Sequence, residues 1–282
     1  MSNVAIVTDS TSDLPRDLCE KYKVKVIPLS VAFGEVIYLD DGINISSKEF
    51  YSKLREAKTM PMAAQPSPGE FMKAYSNILK NHDSIISIHI SKKLSGTINS
   101  AMIAKREFKG KDIEIIDSAL VHMSCGFLAL KAAELAREGK SKKEILAAIY
   151  YLKAKIKSLF VPKTLENLIK GGRMGKAKGL FASILEVKPI LTLNNGELIL
   201  FKKTRKWDQA KNEIISSMRE MIKGSKSIIV SIGDADAEED AEEMTERIKK
   251  AFNPVQVIRA KVGIVVGTHL GSGGMGITFY EE

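Results

Sequence analysis

The chain has 282 residues, 44% of them hydrophobic, with 43 basic and 34 acidic side chains and a net charge of +9. That is material for one large or two ordinary globular domains, which excludes a low-complexity tail, and no uncharged apolar run approaches the roughly 20 residues that cross a bilayer. The excess charge is mostly scattered lysine, without zinc-finger spacing, an RNP-type aromatic stretch or a recognition-helix unit, so a solvated basic surface is favoured over nucleic-acid binding.

Met1 to Asp9 runs directly into an apolar strand with no secretory pattern before it, and a cytoplasmic protein is expected. Apolar runs rich in Val and Ile then alternate with amphipathic segments, the pattern of parallel strands joined by crossover helices. Strands are expected at Val4–Thr8, Val24–Phe33, Ser84–Ile90 and Ile113–Ile116. Ser46 with Glu49, Ser67 with Glu70 and Ser141 with Glu144 match the helix-starting capping box. Pro68 at a first helical position strengthens the second of these, and Phe71, Tyr75, Ile78 and Leu79 follow on one helical face. A long helix is expected over Lys142–Lys157.

The texture changes near Ser158, which divides the chain into an N-terminal domain, 1–157, and a C-terminal domain, 158–282. Leu159–Val161 reads as a strand and Leu165–Ile169 as a short helix ending at Gly171 and Gly172. Pro189–Leu193 and Leu198–Phe201 flank Asn194-Asn195-Gly196, a hairpin signal because Asn-Gly tolerates positive φ. Helix, strand and helix follow at Ala210–Lys223, Ser227–Ile232 and Ala237–Phe252. Strands are expected around Val255–Arg259 and Ile264–Val266, and Ile277–Tyr280 closes the chain. The fold class is therefore α/β, with a mostly parallel N-terminal sheet flanked by helices and a C-terminal α/β part containing an antiparallel hairpin.

Ligands of open α/β sheets sit beyond the carboxyl ends of the strands. Here those ends are rich in hydroxyls: Thr8-Asp9-Ser10-Thr11-Ser12-Asp13, Ser91 to Thr97, and Asp117-Ser118. Each alone is more simply a cap, but together they would converge on one crevice, with Ser95-Gly96 allowing close approach to backbone amides. Gly267 to Gly276, rich in glycine, lacks the Lys-Ser/Thr pair of a phosphate loop. Cys19 and Cys125 read as buried free thiols, and the scattered histidines argue against a metal site. No recognised catalytic signature is present, which shifts weight from enzyme to binding protein. Gly179–Val187 is almost wholly apolar and follows the basic Gly171-Gly172-Arg173-Met174-Gly175-Lys176. It reads as a core helix or, more sharply, as the wall of an elongated apolar pocket with Arg173 at its mouth.

Seven stretches spread over nearly the whole chain carry a resemblance: Thr8 to Pro15, Gln65 to Glu70, Leu94-Ser95-Gly96-Thr97, Ile116-Asp117-Ser118, Gly171-Gly172-Arg173, Lys188-Pro189-Ile190 and Gly267-Thr268-His269. On these the chain resembles the DegV family, bacterial fatty-acid-binding proteins that include the acyl-carrying subunit of fatty acid kinase. The resemblance implies a long-chain fatty acid held in a narrow tunnel between two α/β domains, with no cofactor and no metal. It implies that Ser95 and His269 contact the carboxylate, beside Gly96 and Thr97. Arg173 organises the head group and Thr268 supports the same network. The family usually carries Thr-Ser before the residue equivalent to Gln65; Ala63-Ala64 stand there, so a head-group hydroxyl at Ala63 is missing. The implied partner is the catalytic subunit of fatty acid kinase, with Lys202, Lys203 and Arg205 as candidate partner contacts. Two other readings stand beside this one: a phosphotransferase-type enzyme related to dihydroxyacetone kinase subunits, and a lipid-sensing module without a kinase partner.

Overall fold

The structure is a computed structural model and describes residues 3–175, 187–224 and 227–282. β1 (Val4–Asp9) passes through a 3-10 turn (Ser10–Ser12) to α1 (Arg16–Tyr22), β2 (Lys25–Ile27), β3 (Ser30–Phe33) and β4 (Val36–Leu39). Next come α2 (Ser47–Glu56), β5 (Met62–Ala64), α3 (Pro68–Ile78), β6 (Ser84–His89), α4 (Thr97–Lys105), β7 (Asp112–Asp117), α5 (Met123–Arg137) and α6 (Lys142–Lys155). The later elements are β8 (Lys157–Val161), α7 (Glu166–Lys170), β9 (Lys188–Asn194), β10 (Glu197–Thr204), α8 (Trp207–Met221), β11 (Ile228–Ala235), α9 (Glu238–Phe252), β12 (Gln256–Lys261), α10 (Ile264–Leu270) and β13 (Gly274–Glu281).

Strands β2-β1-β6-β7, in that order, form an all-parallel sheet. Every residue of β1 and β6 is buried, as their unbroken apolar runs require of central strands covered on both faces. A six-stranded mixed sheet has the order β10-β9-β8-β13-β11-β12. Between the two sheets lies α5, ten of whose fifteen residues are buried. It and α6 share one apolar core with Ile86 and Ile88 of β6 and with Ile229, Ile258 and Tyr280 of the mixed sheet. A helix buried on both sides needs no polar stripe, and the run Phe127-Leu128-Ala129-Leu130 supplies none.

Capping chemistry starts the helices where expected. Ser67 and Ser141 form complete boxes, with the carboxylates of Glu70 and Glu144 accepting from their backbone N–H groups at 2.7 and 2.8 Å. Ser46 makes only half of one, accepting from Glu49 N at 3.2 Å. The β9–β10 hairpin turns at Asn195 and Gly196, both with positive φ, 49° and 82°.

Two expected strands are corrected. Val24–Phe33 is not one strand but two, because Pro28 has no N–H to continue the parallel ladder. Leu29 N instead donates to Ser10 Oγ at 3.0 Å, and β3 leaves to join an antiparallel sheet ordered β4-β3-β5 that the sequence did not suggest. Ile264–Val266 begins α10 rather than a strand. A short apolar run is ambiguous by periodicity, and the deciding contacts are distant in sequence: Asp13 Oδ1 accepts from Gly263 N and Asp40 Oδ1 from Ile264 N, each at 2.9 Å. Gly179–Val187, expected as a core helix or pocket wall, lies outside the described residues except for Val187. Among the described residues no helix is long and apolar enough to cross a membrane, and no group of His, Cys, Asp and Glu could hold a metal ion. Cys125 is buried and Cys19 half-buried, both free.

Candidate functional site

The loops after β1 and β6 and the helix α10 meet over the mixed sheet, and between them lies a cavity of about 130 Å³. Its walls are mainly apolar, from Ile90, Leu94, Val121, Phe160, Leu191 and Val265 among others. Among the described residues that line it, six carry polar side chains: Thr11, Gln65, Ser95, His122, Arg173 and His269.

Ser95, Arg173 and His269, far apart in sequence, are thus brought to one cavity, together with Ala63. Ser95 follows β6 in a turn closed by its own N–H to Ser91 O at 3.1 Å. Its Oγ lies 2.9 Å from Thr97 Oγ1 and accepts from Thr97 N at 3.3 Å. Thr97, fully buried, acts on the cavity through Ser95 rather than by lining it. Gly96 is the helix cap between them, and a Cβ there would fall 2.1 Å from Gln65 Oε1, so glycine admits the Gln65 amide to the same corner. Gln65 Nε2 donates to Ser100 Oγ at 3.0 Å.

Arg173 donates from Nη1 to Gly171 O at 2.7 Å and from Nε to Leu94 O at 3.3 Å. Both acceptors are neutral, and among the described residues no carboxylate pairs with it. A partly buried guanidinium with no counter-ion favours an anion from outside. Its charge is also felt by His269, whose pKa is pushed down to about 4, first by burial and then by Arg173. His269 is therefore neutral at pH 7 and offers hydrogen bonds, while Arg173 supplies the charge. Its Nδ1 is buried, has no hydrogen-bond partner among the described residues, and lies over Gly171, where a Cβ would be only 2.2 Å away.

Thr268 turns away from this group. Its Oγ1 donates to Ile264 O at 2.8 Å within α10, and only its carbonyl is engaged outside, accepting from Asn167 Nδ2 at 3.0 Å. Lys202 lies over Phe201 and is paired with Glu213 at 2.7 Å and Glu220 at 3.7 Å, whereas Lys203 and Arg205 are exposed. Leu198 on the same strand lines the cavity, and Lys202 is four residues further on, about 13 Å along β10. None of these three basic residues lines the cavity.

All three hydroxyl loops expected to converge reach the cavity, those after β1 and β6 through Thr11 and Ser95 and the one after β7 through Val121 and His122. Ser118 instead closes a local turn, its Oγ accepting from Leu120 N at 3.0 Å. Sequence reasoning gave no role to Gln65, Thr11 or His122. Gln65 and Thr11 sit in stretches singled out, and His122 follows Asp117-Ser118 in the loop after β7. A second polar array, Asp9–His89–Ser87–Tyr75, has the spacing of a catalytic relay, with contacts of 2.9, 2.7 and 2.9 Å. All four side chains are fully buried and none lines the cavity, so the array holds β1, β6 and α3 together.

Three strand-end loops and a late helix thus bring polar side chains, a guanidinium among them, to an apolar cavity, an arrangement that can take an amphipathic anion. The chain belongs to the DegV family, whose model matches residues 3–282. It is 38% identical over 282 residues to a DegV domain-containing protein of Caldanaerobacter subterraneus, covering all of both chains. Among solved structures it matches a fatty-acid-binding DegV family protein of Thermus thermophilus, at 34% identity and a TM-score of 0.91, over 99% of this chain and 100% of that one. DegV of Bacillus subtilis, described as a fatty acid binding protein, matches at 32% identity and a TM-score of 0.91 over the full length of both.

Proposed function

We propose that this protein holds a long-chain fatty acid in the cavity, with its carboxylate against Ser95, Arg173 and His269, and presents that carboxylate to a separate kinase subunit for conversion to an acyl phosphate. The observation that carries the reading is the Arg173 guanidinium, held by two neutral carbonyls at the polar end of an apolar cavity. The fatty acids bound by related DegV proteins support the ligand class.

Burying roughly fourteen methylenes at about 0.8 kcal/mol each supplies on the order of 11 kcal/mol before ordering costs, so the tail dominates affinity. A hydrogen bond to the charged carboxylate adds about 1.5 to 3 kcal/mol. Ala63 in place of a hydroxyl therefore loosens head-group orientation without abolishing binding. The cavity volume is on the order of one benzene-sized void, so a long tail requires the apolar walls to move apart as it enters. Lys203 and Arg205, exposed and not part of the cavity lining, are available to the kinase partner rather than to the ligand.

Acyl-phosphate formation with a cognate kinase and ATP tests the reading. The double variant Ser95→Ala, His269→Ala is expected to lose it while still taking up fatty acid. Unchanged acyl-phosphate formation by that variant would reject the assigned roles.

A further inference from the structure

We propose that His122 is the stop that sets how long an acyl chain this cavity accepts, an inference that rests on the fatty-acid reading above. Gly233 of β11, Gly276 of β13, Phe160 of β8 and Leu191 of β9 lie in one row across the mixed sheet, each paired with the next. Gly276, Phe160 and Leu191 line the cavity, but Gly233 does not. The reason is the His122 imidazole, which stands on it: a Cβ at Gly233 would fall 1.9 Å from Nε2. Neighbouring strands are about 4.8 Å apart. Without the ring the trough would run one strand further, over a residue with no side chain to fill it.

The ring is also held in place. Its Nδ1 lies 2.6 Å from Asp13 Oδ2, and the backbone N–H of His122 donates to Thr11 O at 2.8 Å. Its backbone has φ 58° and ψ −155°, a region that belongs almost entirely to glycine and that persists where the surroundings over-determine it. Nε2, turned to Gly233, has no hydrogen-bond partner among the described residues. An apolar side chain would fill the same notch without leaving a buried nitrogen unpaired, so packing alone does not account for a strained histidine there. Asp13 also caps α10 through Gly263 N at 2.9 Å. His269 lies six residues beyond Gly263, so α10 meets the Asp13–His122 pair at its N-terminal end and carries the head-group contact at its C-terminal end.

The test strips the full chain of ligand, offers an equimolar series of saturated acids from lauric to arachidic, and quantifies what is retained by mass spectrometry. His122→Gly removes the ring and suits the backbone conformation. It is expected to raise the ratio of arachidic to palmitic acid on the order of tenfold, the effect of about two more buried methylenes. Gly276→Ala, whose new methyl would sit 3.3 Å from the His122 ring and 3.2 Å from Phe160, is expected to move the preference toward shorter acids. Should His122→Gly fail to fold by circular dichroism, His122→Ser, which keeps a donor for Asp13, takes its place with the same expectation. An unchanged length profile in a folded, acid-binding His122 variant would overturn the proposal alone. Retention of no acid by the wild-type chain would overturn the fatty-acid reading and the stop with it.

Discussion

Two titrating side chains at opposite ends of α10 are shifted for the same reason, burial followed by a neighbouring like charge, and because one is an acid and the other a base the consequences have opposite signs. Burial, followed by the neighbouring charge of Asp13, lifts the Asp40 carboxyl from its ordinary 3.8 to about 7. The folded protein therefore keeps a proton that the unfolded chain has released. The stability this contributes is complete below about pH 4 and is lost as pH rises through 7. His269 runs the other way, pushed from 6.5 to about 4, so its contribution is present above pH 6.5 and lost as pH falls through 4. Asp40→Asn keeps the acceptor for Ile264 N and removes the ionisation. Melting temperature measured from pH 4 to 8 should show the variant gaining on the wild type as pH rises, by up to a few kcal/mol in ~298 K terms. A constant difference across that range would place the Asp40 proton elsewhere.

At the scale of elements, the site depends on how closely α7 and α10 approach. Gly171 ends α7 under the His269 ring, and with φ −75° its conformation is open to any residue, so only the contact requires glycine. Gly171→Ala should displace the imidazole and weaken fatty-acid retention while secondary structure by circular dichroism stays intact. Retention equal to wild type would show that His269 placement is unimportant. Much of this element level was legible in the chain: parallel strands from unbroken Val and Ile runs, helix starts from Ser-x-x-Glu, the hairpin from Asn-Gly. What was not legible turns on contacts distant in sequence. Nothing within Ile264–Val266 announces that Asp13 and Asp40 will cap it as a helix. Nothing in Val24–Phe33 except Pro28 hints that its second half pairs with β4 and β5 in another sheet.

Over the whole molecule, the cavity exists because loops from the parallel sheet and helix α10 close over one face of the mixed sheet. The juxtaposition of Ser95, Arg173 and His269 followed from resemblance rather than from spacing, since no local pattern links residues so far apart. Thr268 shows the limit of that route: it adjoins His269 in sequence, yet helical geometry turns its hydroxyl back to Ile264. His122 shows the opposite limit, a cavity residue whose place depends on Asp13 on one side and two paired glycines on the other. Solvent extraction of the purified protein, followed by mass spectrometry, decides whether this apolar cavity carries a fatty acid. Long-chain fatty acid in stoichiometric amount is the expected result. Protein that yields none, and that takes up no added oleate or palmitate, would contradict it.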